Sequence, residues 1–507
     1  MKRIVSLLLT VVLLCTLLSV VAIPAFAAGE AGEGPSFENY QPISTLEELK
    51  AFFAEGGVGY LTNDITADGT LTVSANASLC LNDKVLDLDG KGNIIVAEGV
   101  VFSVDGSPYS SEAESTVRCF DKDEDGHWAL VGQSDASVKG GVILGGKAKC
   151  GGCFYVNDES SLLLKYVNLV GHAASGDPEA CGGAIYAKTG SNVNISNTTI
   201  AECSAEKWGG AILSAAASSV TLNNSLIKKC KTDSRDLEYY GGGGGICSHG
   251  DLSLTQSTVS ECHTIGFGGG ILILYEGSQC NLTMLSAQVL NCSAYGEDSE
   301  NHPGYSGGGI FIAGANASLS DCTVSCNNAN KCGGGIVVAD QNEKSGRIFL
   351  KSSVVSCNNA MGETGVACIN SGDIVLGGSL KIIDNNDKEG NSNLCLKSGN
   401  PIRLDRPAND MNVGVTLDTG TGVFTKQLKE VSPRYFFADD SSLMVENIGN
   451  TLKLVSINGW PASVLSGGSL WIILGVAAVI AVAAVVAAVV LMKKKKKPAP
   501  ADKNGEK

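Results

Sequence analysis

The feature that most constrains the fold of this chain is a glycine-rich segment that recurs at intervals. The copies are Gly151–Phe154, Gly182–Ile185, Gly209–Ile212, Gly243–Ile246, Gly268–Ile271, Gly307–Ile310 and Gly333–Ile336. Their fourth residues lie 31, 27, 34, 25, 39 and 26 positions apart. A minimum spacing near 25 residues, with additions above it, is typical of a solenoid whose coils carry loop insertions.

The copies are followed by the same succession of short alternating runs. In one coil these runs are Gly183–Tyr186, Val193–Ser196 and Thr199–Cys203. Alternation over so few residues predicts β-strands, three in each coil of about 25 residues. Stacked coils would place equivalent strands about 4.8 Å apart, with glycine at a corner that needs positive φ or a close backbone approach.

This pattern resembles the parallel β-helix of the pectate-lyase-like superfamily. The Gly-Gly-Ala-Ile copies at 182–185 and 209–212 also resemble repeats of bacterial polymorphic outer-membrane proteins and adhesin-like surface proteins. The resemblance covers residues 60–455 and implies an all-β, right-handed parallel β-helix solenoid. It implies no single activity, since the superfamily includes lyases, hydrolases and adhesins. Polymorphic outer-membrane proteins end in a β-barrel, whereas this chain ends in one apolar segment and lysines, as expected for a Gram-positive-like envelope.

The first residues carry an export pattern. Residues 1–27 combine Lys2 and Arg3 with a long apolar run and end in Ala25-Phe26-Ala27. Positive charge, apolar core and small residues at the end are the parts of a secretory signal peptide. We therefore expect cleavage after Ala27.

The last residues carry an anchoring pattern. Residues 470–492 contain no charge and, at ~1.5 Å per residue, would form one transmembrane helix long enough to cross a bilayer. The lysine-rich tail 493–507 should stay on the cytoplasmic side, and residues 456–469 form a linker. The chain is therefore predicted to be a single-pass cell-membrane protein whose N-terminal body is extracellular.

Residues 28–59 precede the solenoid and contain a helix signal. Ser44 with Glu47, or Thr45 with Glu48, matches a capping box, and apolar residues at helical spacing follow. The open end of a solenoid exposes strand edges and apolar core. This segment is therefore predicted to be an N-terminal capping helix.

The charge of the chain is uneven. The net charge is −15, but residues 1–27 contribute +2 and residues 493–507 contribute +5, which leaves −22 for the remainder. A body this acidic would repel phosphate backbones, so nucleic acid is excluded as a partner.

Cysteines recur at one position of the coil, after the third run. This cysteine column consists of Cys203, Cys230, Cys262, Cys292, Cys326 and Cys357, with His172 before it and Asn385 after it. A disulfide ladder or metal binding is one interpretation, and a stack of small buried side chains is the other. Parallel Cβ vectors keep stacked Cβ atoms near 4.8 Å, whereas a disulfide prefers about 3.8 Å, so the buried stack is favoured. Cys150 and Cys181, which precede Gly-Gly pairs in successive coils, are the better candidates for a disulfide.

One acidic segment matches the first half of a calcium loop. Asp121, Asp123 and Asp125 supply oxygen at positions 1, 3 and 5, and Gly126 occupies position 6. Position 12 should be glutamate and is Gly132. A charged turn between two strands is therefore favoured over a Ca²⁺ site, and no other cofactor is indicated.

The motifs of related enzymes are incomplete. A polygalacturonase-like site needs paired carboxylates with His-Gly and Arg-x-Lys, but here only His249-Gly250 is present. A pectate-lyase-like site needs clustered acids with a basic residue, and the two arginines of the repeat region, Arg235 and Arg347, lie far apart. His249 is accordingly interpreted as a turn residue, and no catalytic residue is assigned.

Two long insertions point to a binding function. The next Gly-Gly pair follows 13 residues after Cys230 and 15 after Cys292, compared with 6 or 7 in the short coils, so both insertions lie at one corner. Aromatic residues at that corner are Trp208, Tyr239, Tyr240, Phe267, Tyr295 and Tyr305. Such side chains can stack on sugars or anchor a protein partner, although they can also simply cover loop edges.

The favoured hypothesis is a non-catalytic, adhesin-like surface protein that binds a glycan or a host or matrix protein. A polysaccharide lyase or glycoside hydrolase on the same scaffold, and a structural stalk, are the alternatives.

Overall fold

The computed structural model describes residues 39–457, except for 108–114, 125, 127, 135, 234–240, 296–305, 363–364, 369–371, 389, 398 and 427–431. Residues 1–27 and 470–492 lie outside this range, so the predicted signal peptide and membrane helix remain predictions. Among the described residues, no helix has the length and apolar composition needed to span a membrane.

The described chain winds into a parallel β-helix in which strands of successive coils pair in register. In one coil, Ile185–Ala187, Asn192–Ser196 and Thr199–Ala201 are the three strands that the sequence predicts, and Ser204–Ala205 is a fourth. The fourth strand has only two residues, too few to show alternation in the sequence. Each coil of the central region therefore has four sides.

One row of paired strands, sheet A, has thirteen members. They are Gln41–Ile43, Gly57–Leu61, Ala77–Cys80, Val101–Asp105, Ser161–Lys165, Asn192–Ser196, Ser219–Asn223, Asp251–Thr255, Asn281–Leu285, Asn316–Ser320, Arg347–Lys351, Asp373–Gly378 and Arg403–Pro407. At ~4.8 Å per step, thirteen strands extend for about 58 Å.

Two further ladders form a 24-stranded sheet, because the strand Asn412–Leu417 pairs with both. Ladder B comprises Ile65–Thr66, Val85–Asp87, Val142–Leu144, Asn168–Val170, Thr199–Ala201, Leu226–Lys228, Thr258–Ser260, Gln288–Leu290, Thr323–Ser325, Val354–Ser356, Lys381–Ile383, Asn412–Leu417 and Phe436–Ala438. Ladder C comprises Leu71–Val73, Ile94–Val96, Phe154–Val156, Ile185–Ala187, Ile212–Ser214, Ile246–Ser248, Ile271–Leu274, Ile310–Ala313, Ile336–Ala339, Val366–Cys368 and Leu394–Leu396.

The two-residue strands form a seven-stranded sheet, sheet D. They are Lys147–Ala148, Ala173–Ala174, Ser204–Ala205, Lys231–Thr232, His263–Thr264, Ser293–Ala294 and Asn328–Ala329. The remaining strands of the described residues form two small antiparallel sheets. One contains Val117–Lys122, Trp128–Val131 and Ala136–Lys139, and the other contains Gly422–Val423, Leu443–Ile448 and Thr451–Ser456.

The helices among the described residues are Leu46–Glu55 and a 3₁₀ turn at Pro433–Tyr435. Thr45 caps the first helix: its hydroxyl accepts from the Glu48 backbone N–H at 3.3 Å, and the Glu48 carboxylate accepts from the Thr45 N–H at 3.2 Å. This is the second of the two capping boxes that the sequence allows. Phe52 and Phe53 on its inner face are buried, and the Phe53 ring lies 5.3 Å from that of Phe102. The helix thus shares the core of the first coils.

The repeated glycines are required by the corner that they form. Gly209 has φ of 63°, a conformation that disfavours a Cβ atom. A Cβ on Gly210 would lie 2.1 Å from the Gly244 carbonyl oxygen of the next coil. The first glycine of the pair is therefore needed for its backbone conformation, and the second for the close approach of neighbouring coils.

The third position of the motif makes room for a row of side chains inside the coil. A Cβ on Gly245 would lie 3.3 Å from the Cys262 sulfur, and one on Gly270 would lie 3.2 Å from the Cys292 sulfur. We call the facing row the core column. Its members, all buried, are His172, Cys203, Cys230, Cys262, Cys292, Asn327, Asn358 and Asn385.

The structure corrects two members of the predicted cysteine column. Ser293 pairs with Asn328, so Asn327 is the counterpart of Cys292. Cys326 and Cys357 therefore lie one residue earlier, at an exposed corner where their φ values are 58° and 57°. The spacing of sequence runs cannot separate adjacent residues at a strand end, which explains the one-residue difference.

Candidate functional site

Sheet D displays one straight row of side chains along the outside of the solenoid. This outer column consists of Lys147, Ala173, Ser204, Lys231, His263, Ser293, Asn328 and Asn359, paired in register from coil to coil. Every member is exposed or half-buried. Seven steps of ~4.8 Å give the row a length of about 34 Å. Its amines, hydroxyls and amides face solvent and can bind a polar ligand.

The second residue of each two-residue strand points the other way. From the second strand onward these residues are small and buried: Ala174, Ala205, Thr232, Thr264, Ala294 and Ala329. Their small size keeps the backbone of this side close to the core, so the outer column follows a narrow, even surface.

The first half of the outer column borders a cleft of about 520 Å³, which we call the hairpin cleft. The antiparallel sheet of residues 117–139 forms its outer wall. Its charged lining residues are Asp87, Asp89, Asp121, Asp123, Glu202, Lys122, Lys147, Lys229 and Lys231. Five carboxylates and four amines in one cleft can form hydrogen bonds with many hydroxyl groups at once.

Some of these charges compensate one another, and one carboxyl is partly desolvated. Lys229 Nζ lies 3.6 Å from Glu202 Oε1, and Lys231 pairs with Asp233. Burial raises the pKa of the Asp87 carboxyl above its ordinary value, although its Oδ1 accepts from the Asp89 N–H at 2.8 Å. Among the ion pairs of the described residues, none involves Lys147.

Trp128 gives the hairpin cleft an aromatic wall. Its indole lies against Gly171, where a Cβ would be 2.1 Å from Trp128 Cδ1. The Lys122 ammonium lies 5.6 Å from the ring centroid, within cation–π range. The same sheet is fixed by Phe120, which packs with Val142 and neighbouring residues on the outside of ladder B. A glycine corner and an apolar patch therefore position the indole.

The second half of the outer column borders a more open groove of about 580 Å³, which we call the C-terminal groove. Tyr295 and Met361 line it and are 55% and 58% exposed. His263 Nδ1 lies 2.9 Å from the Ser293 hydroxyl, and burial lowers the pKa of His263, so its ring is neutral at pH 7. Two large apolar side chains beside hydroxyl and amide groups suit a ligand with both polar edges and apolar faces.

The predicted aromatic residues separate into three groups. Tyr239, Tyr240 and Tyr305 lie outside the described residues. Tyr295 lines the C-terminal groove. Trp208 and Phe267 line neither cleft, because they are half-buried and pack on an apolar cluster outside ladder C.

That packing is close. The Phe267 ring lies 4.8 Å from the Phe311 ring, and the Trp208 ring meets His249 edge-on at 6.1 Å. Trp208 and Phe267 thus have a packing role, and ligand contact by either residue remains a prediction.

His249 lies in an arrangement that resembles a catalytic triad. Its Nε2 is 3.4 Å from the Cys247 sulfur, and its Nδ1 is 2.8 Å from Glu276 Oε2. However, Cys247 is fully buried, and burial raises its pKa well above the ordinary value. A thiol needs access and a thiolate to act as a nucleophile, so this group stabilises the outside of ladder C instead.

The predicted calcium loop is only partly described. Asp121 and Asp123 line the hairpin cleft, while Asp125 lies outside the described residues. The described part of the chain contains no group of three or more potential metal ligands. The loop connects two antiparallel strands, in which Trp128 pairs with Lys122. The calcium site, which is the less favoured interpretation of this segment, thus remains untested.

Cys150 and Cys181 are neighbours on successive coils, connected by a parallel bridge. Both thiols are free in this structure. Burial raises the pKa of Cys181 to about 12. Their disulfide also remains a prediction.

Trp128 and the outer column could not be recognised as site residues from the sequence. Strands of two residues are too short for periodicity, and Trp128 lies in an insertion that interrupts the repeat. The one sequence feature that could have indicated the position of Trp128 is Gly171. It occupies the corner position that Glu202 and Lys229 occupy in the next two coils, where a side chain would collide with the indole.

Residues 129–305, less than half of the chain, match a protein-family model described as a right handed beta helix region. No curated protein is a detectable relative of the chain. Among solved structures, the crystal structure of the Dettilon tailspike protein (gp208) is 11% identical, with a TM-score of 0.22 over 81% of this chain and 72% of that chain. The strand pairing and the family match together establish a right-handed parallel β-helix.

Proposed function

We propose that this chain is a non-catalytic cell-surface protein that binds an extended glycan along the outer column. The observation that carries the proposal is the continuity of that row: Lys147 to Lys231 border the hairpin cleft, and His263 to Asn359 border the C-terminal groove. A linear ligand would therefore contact both clefts without a break. Its length would be set by the row of about 34 Å, enough for several sugar units.

The chemistry of the row suits a carbohydrate. Sugar hydroxyls both donate and accept hydrogen bonds, as do the serine hydroxyls and asparagine amides of the outer column. The apolar faces of sugar rings can pack on Trp128 at one end and on Tyr295 at the other. A body with a net charge of −22 gives little attraction for a polyanion such as nucleic acid.

We also propose that the protein is exported and anchored by residues 470–492, as an adhesin-like surface protein would be. The apolar, uncharged segment and the lysines that follow it support this location. The solenoid would then present its long side to the surroundings of the cell.

The proposal is tested by glycan-array screening of the full chain, followed by affinity measurements on Trp128→Ala and Tyr295→Ala. Each substitution should weaken binding to an identified glycan by ~1–3 kcal/mol, because each removes an aromatic contact. Tyr166→Asn is the matched control. Tyr166 is exposed at a corner between sheet A and ladder B, where Asn197 and Asn224 occupy the same position in the next coils.

The control should bind like the wild type. Unchanged affinity in all three variants would contradict the proposed groove. A protein ligand found instead would favour the protein-binding form of the hypothesis, and no ligand at all would favour the stalk.

A glycoside hydrolase is the second candidate, because the hairpin cleft contains several carboxylates. Hydrolysis needs one protonated acid and a second, ionised carboxylate. Asp87, whose pKa is raised by burial, suits the first role, and another carboxylate of the hairpin cleft would take the second. The appearance of new reducing ends on a bound glycan, abolished in Asp87→Asn with binding intact, would favour the enzyme.

A further inference from the structure

Two cysteines differ from all the others that the structure describes. Among sixteen free cysteines, eleven are buried, three are half-buried, and only Cys326 and Cys357 are exposed. These two are also neighbours, because their preceding residues, Ser325 and Ser356, are paired in register on successive coils of ladder B. Exposure and adjacency therefore coincide in one pair of thiols.

Both residues lie in a corner row that precedes the core column by one residue. The row contains Glu202, Lys229, Glu261, Asn291, Cys326, Cys357 and Asp384, all with positive φ. Side chains in this row can meet across one coil, since Lys229 Nζ lies 3.6 Å from Glu202 Oε1. The position of Cys326 relative to Cys357 is equivalent.

The backbone spacing permits a disulfide between them. Coils stacked at ~4.8 Å place the two Cα atoms within the range of ~4.4–6.8 Å that disulfides use. Parallel Cβ vectors leave the Cβ atoms about 1 Å farther apart than a disulfide prefers. At this corner, the Cys326 N–H donates to the Ser356 carbonyl at 3.3 Å, and the side chains face solvent.

The core column offers no such freedom. The Cys262 and Cys292 sulfurs are fully buried against the glycine corners of their own coils. Closing those pairs would have to deform packed strands, and no oxidant can reach them.

We propose that Cys326 and Cys357 are a site of reversible thiol modification, at which a small disulfide such as oxidised glutathione closes them into an intrachain disulfide. One cysteine thiolate attacks the small disulfide and releases one thiol. The second cysteine thiolate then attacks the mixed disulfide and releases the other thiol. Two electrons and two protons pass from the cysteine pair to the small disulfide, which leaves as two thiols.

The bond would connect two coils that are 31 residues apart in the chain. Cys326 precedes Asn327 and Cys357 precedes Asn358, so these are the first two coils whose core-column residue is asparagine. Oxidation would therefore link the exposed corners of these two coils.

The test uses the full chain, fully reduced, then equilibrated with oxidised glutathione and quenched with N-ethylmaleimide under native conditions. Peptide mapping by mass spectrometry without reduction should find the Cys326–Cys357 bond as the main product. Cys326→Ser and Cys357→Ser should instead carry glutathione on the remaining cysteine, because no partner is left to displace it. The oxidised wild type should unfold a few degrees higher than the reduced form, and neither variant should show this shift.

Cys119→Ser is the matched control, since Cys119 is half-buried on the antiparallel sheet and should leave the bond unchanged. Three results would overturn the proposal. The first is glutathione on both cysteines of the wild type without an intrachain bond. The second is failure of both thiols to react with N-ethylmaleimide in the reduced protein. The third is a disulfide-linked dimer through either cysteine.

Discussion

His172 and Asn327 occupy equivalent positions of the core column and make the same pair of hydrogen bonds to the preceding coil. His172 Nδ1 accepts from the Gly146 N–H at 2.9 Å, and Nε2 donates to the Ile143 carbonyl at 3.0 Å. Asn327 Oδ1 accepts from the Cys292 N–H at 2.9 Å, and Nδ2 donates to the Val289 carbonyl at 3.0 Å. A ring and an amide thus satisfy the same buried backbone groups.

This equivalence predicts that His172→Asn removes a pH dependence while keeping the fold. Burial lowers the pKa of His172 to about 3, whereas an unfolded histidine titrates near 6.5. Between those values the unfolded state binds a proton that the folded state does not, so the stability of the wild type falls as pH falls.

For His172 alone, the decrease is about 1.4 kcal/mol per pH unit below pH ~6.5, ending near the folded pKa. The variant should be less stable at pH 7 by about 1–2 kcal/mol, since asparagine is smaller. Denaturant unfolding of both proteins from pH 7 to pH 4 should show the difference shifting in favour of the variant. Parallel curves would mean that His172 is not the group responsible.

The buried asparagines predict a second, position-specific effect on stability. Asn358 Nδ2 donates to Asn385 Oδ1 at 2.8 Å and to the Val324 carbonyl at 3.1 Å. Asn358→Ala should lower the free energy of unfolding by about 2–4 kcal/mol, because several buried partners lose their hydrogen bonds. Asn359→Ala, one residue later and exposed, should change it by less than about 0.5 kcal/mol. Equal effects in urea unfolding would contradict this assignment.

Much of the fold could be predicted from the sequence, because the glycine corner and the apolar alternation reflect backbone geometry at every coil. The core column could be predicted only in part. A cysteine recurs once per coil from Cys203 to Cys292. In the next coil the column position is occupied by Asn327, and Cys326 lies one residue earlier, at the exposed corner. A change of residue type at a buried position is not visible without the strand register that reveals it.

A third prediction concerns the packing of the Trp128 indole against Gly171. Gly171→Ala would place a Cβ 2.1 Å from the indole and add a side chain at φ of 69°, so the indole must leave the cleft wall. Glycan affinity should fall about as much as in Trp128→Ala. Gly176→Ala is the control: it also has positive φ, at 88°, but no atom lies within 4 Å of its Cβ.

Both glycine variants should lose about 1–2 kcal/mol of stability from the backbone conformation. Only Gly171→Ala should lose binding and become sensitive to trypsin in residues 117–139. If Gly171→Ala still bound the glycan with wild-type affinity, Trp128 would not be a ligand contact.

The fourth prediction distinguishes packing aromatics from contact aromatics. Trp208→Ala should lower the free energy of unfolding by about 2–3 kcal/mol, since the ring is half-buried on the outside of ladder C. Its glycan affinity should match the wild type. Tyr295→Ala should show the reverse: affinity lower by ~1–3 kcal/mol and stability within about 0.5 kcal/mol. Both quantities can be measured by calorimetry of unfolding and of binding on the same preparations. Lower affinity in Trp208→Ala, or lower stability in Tyr295→Ala, would contradict the assignment.

The candidate site was less predictable than the fold, for a reason that Tyr295 and Trp208 illustrate. Both are aromatic residues near the same corner of the coil, and the sequence assigns them the same role. Whether the ring faces solvent or covers an apolar neighbour depends on which side chains lie outside the adjacent ladder. That is a property of neighbouring coils, separated by about 30 residues in the chain.

The buried asparagines have one more consequence. Asn327, Asn358, Asn385 and Asn393 each donate one amide hydrogen to the next member of the row, and the row ends on Asp439. Aligned amide dipoles add, and here their positive end meets a carboxylate. The C-terminal coils therefore have an electrical polarity that the thiol coils between Cys203 and Cys292 lack. A coil added among the thiols would leave this polarity unchanged, whereas one added beyond Asn327 would interrupt it unless it brought its own asparagine.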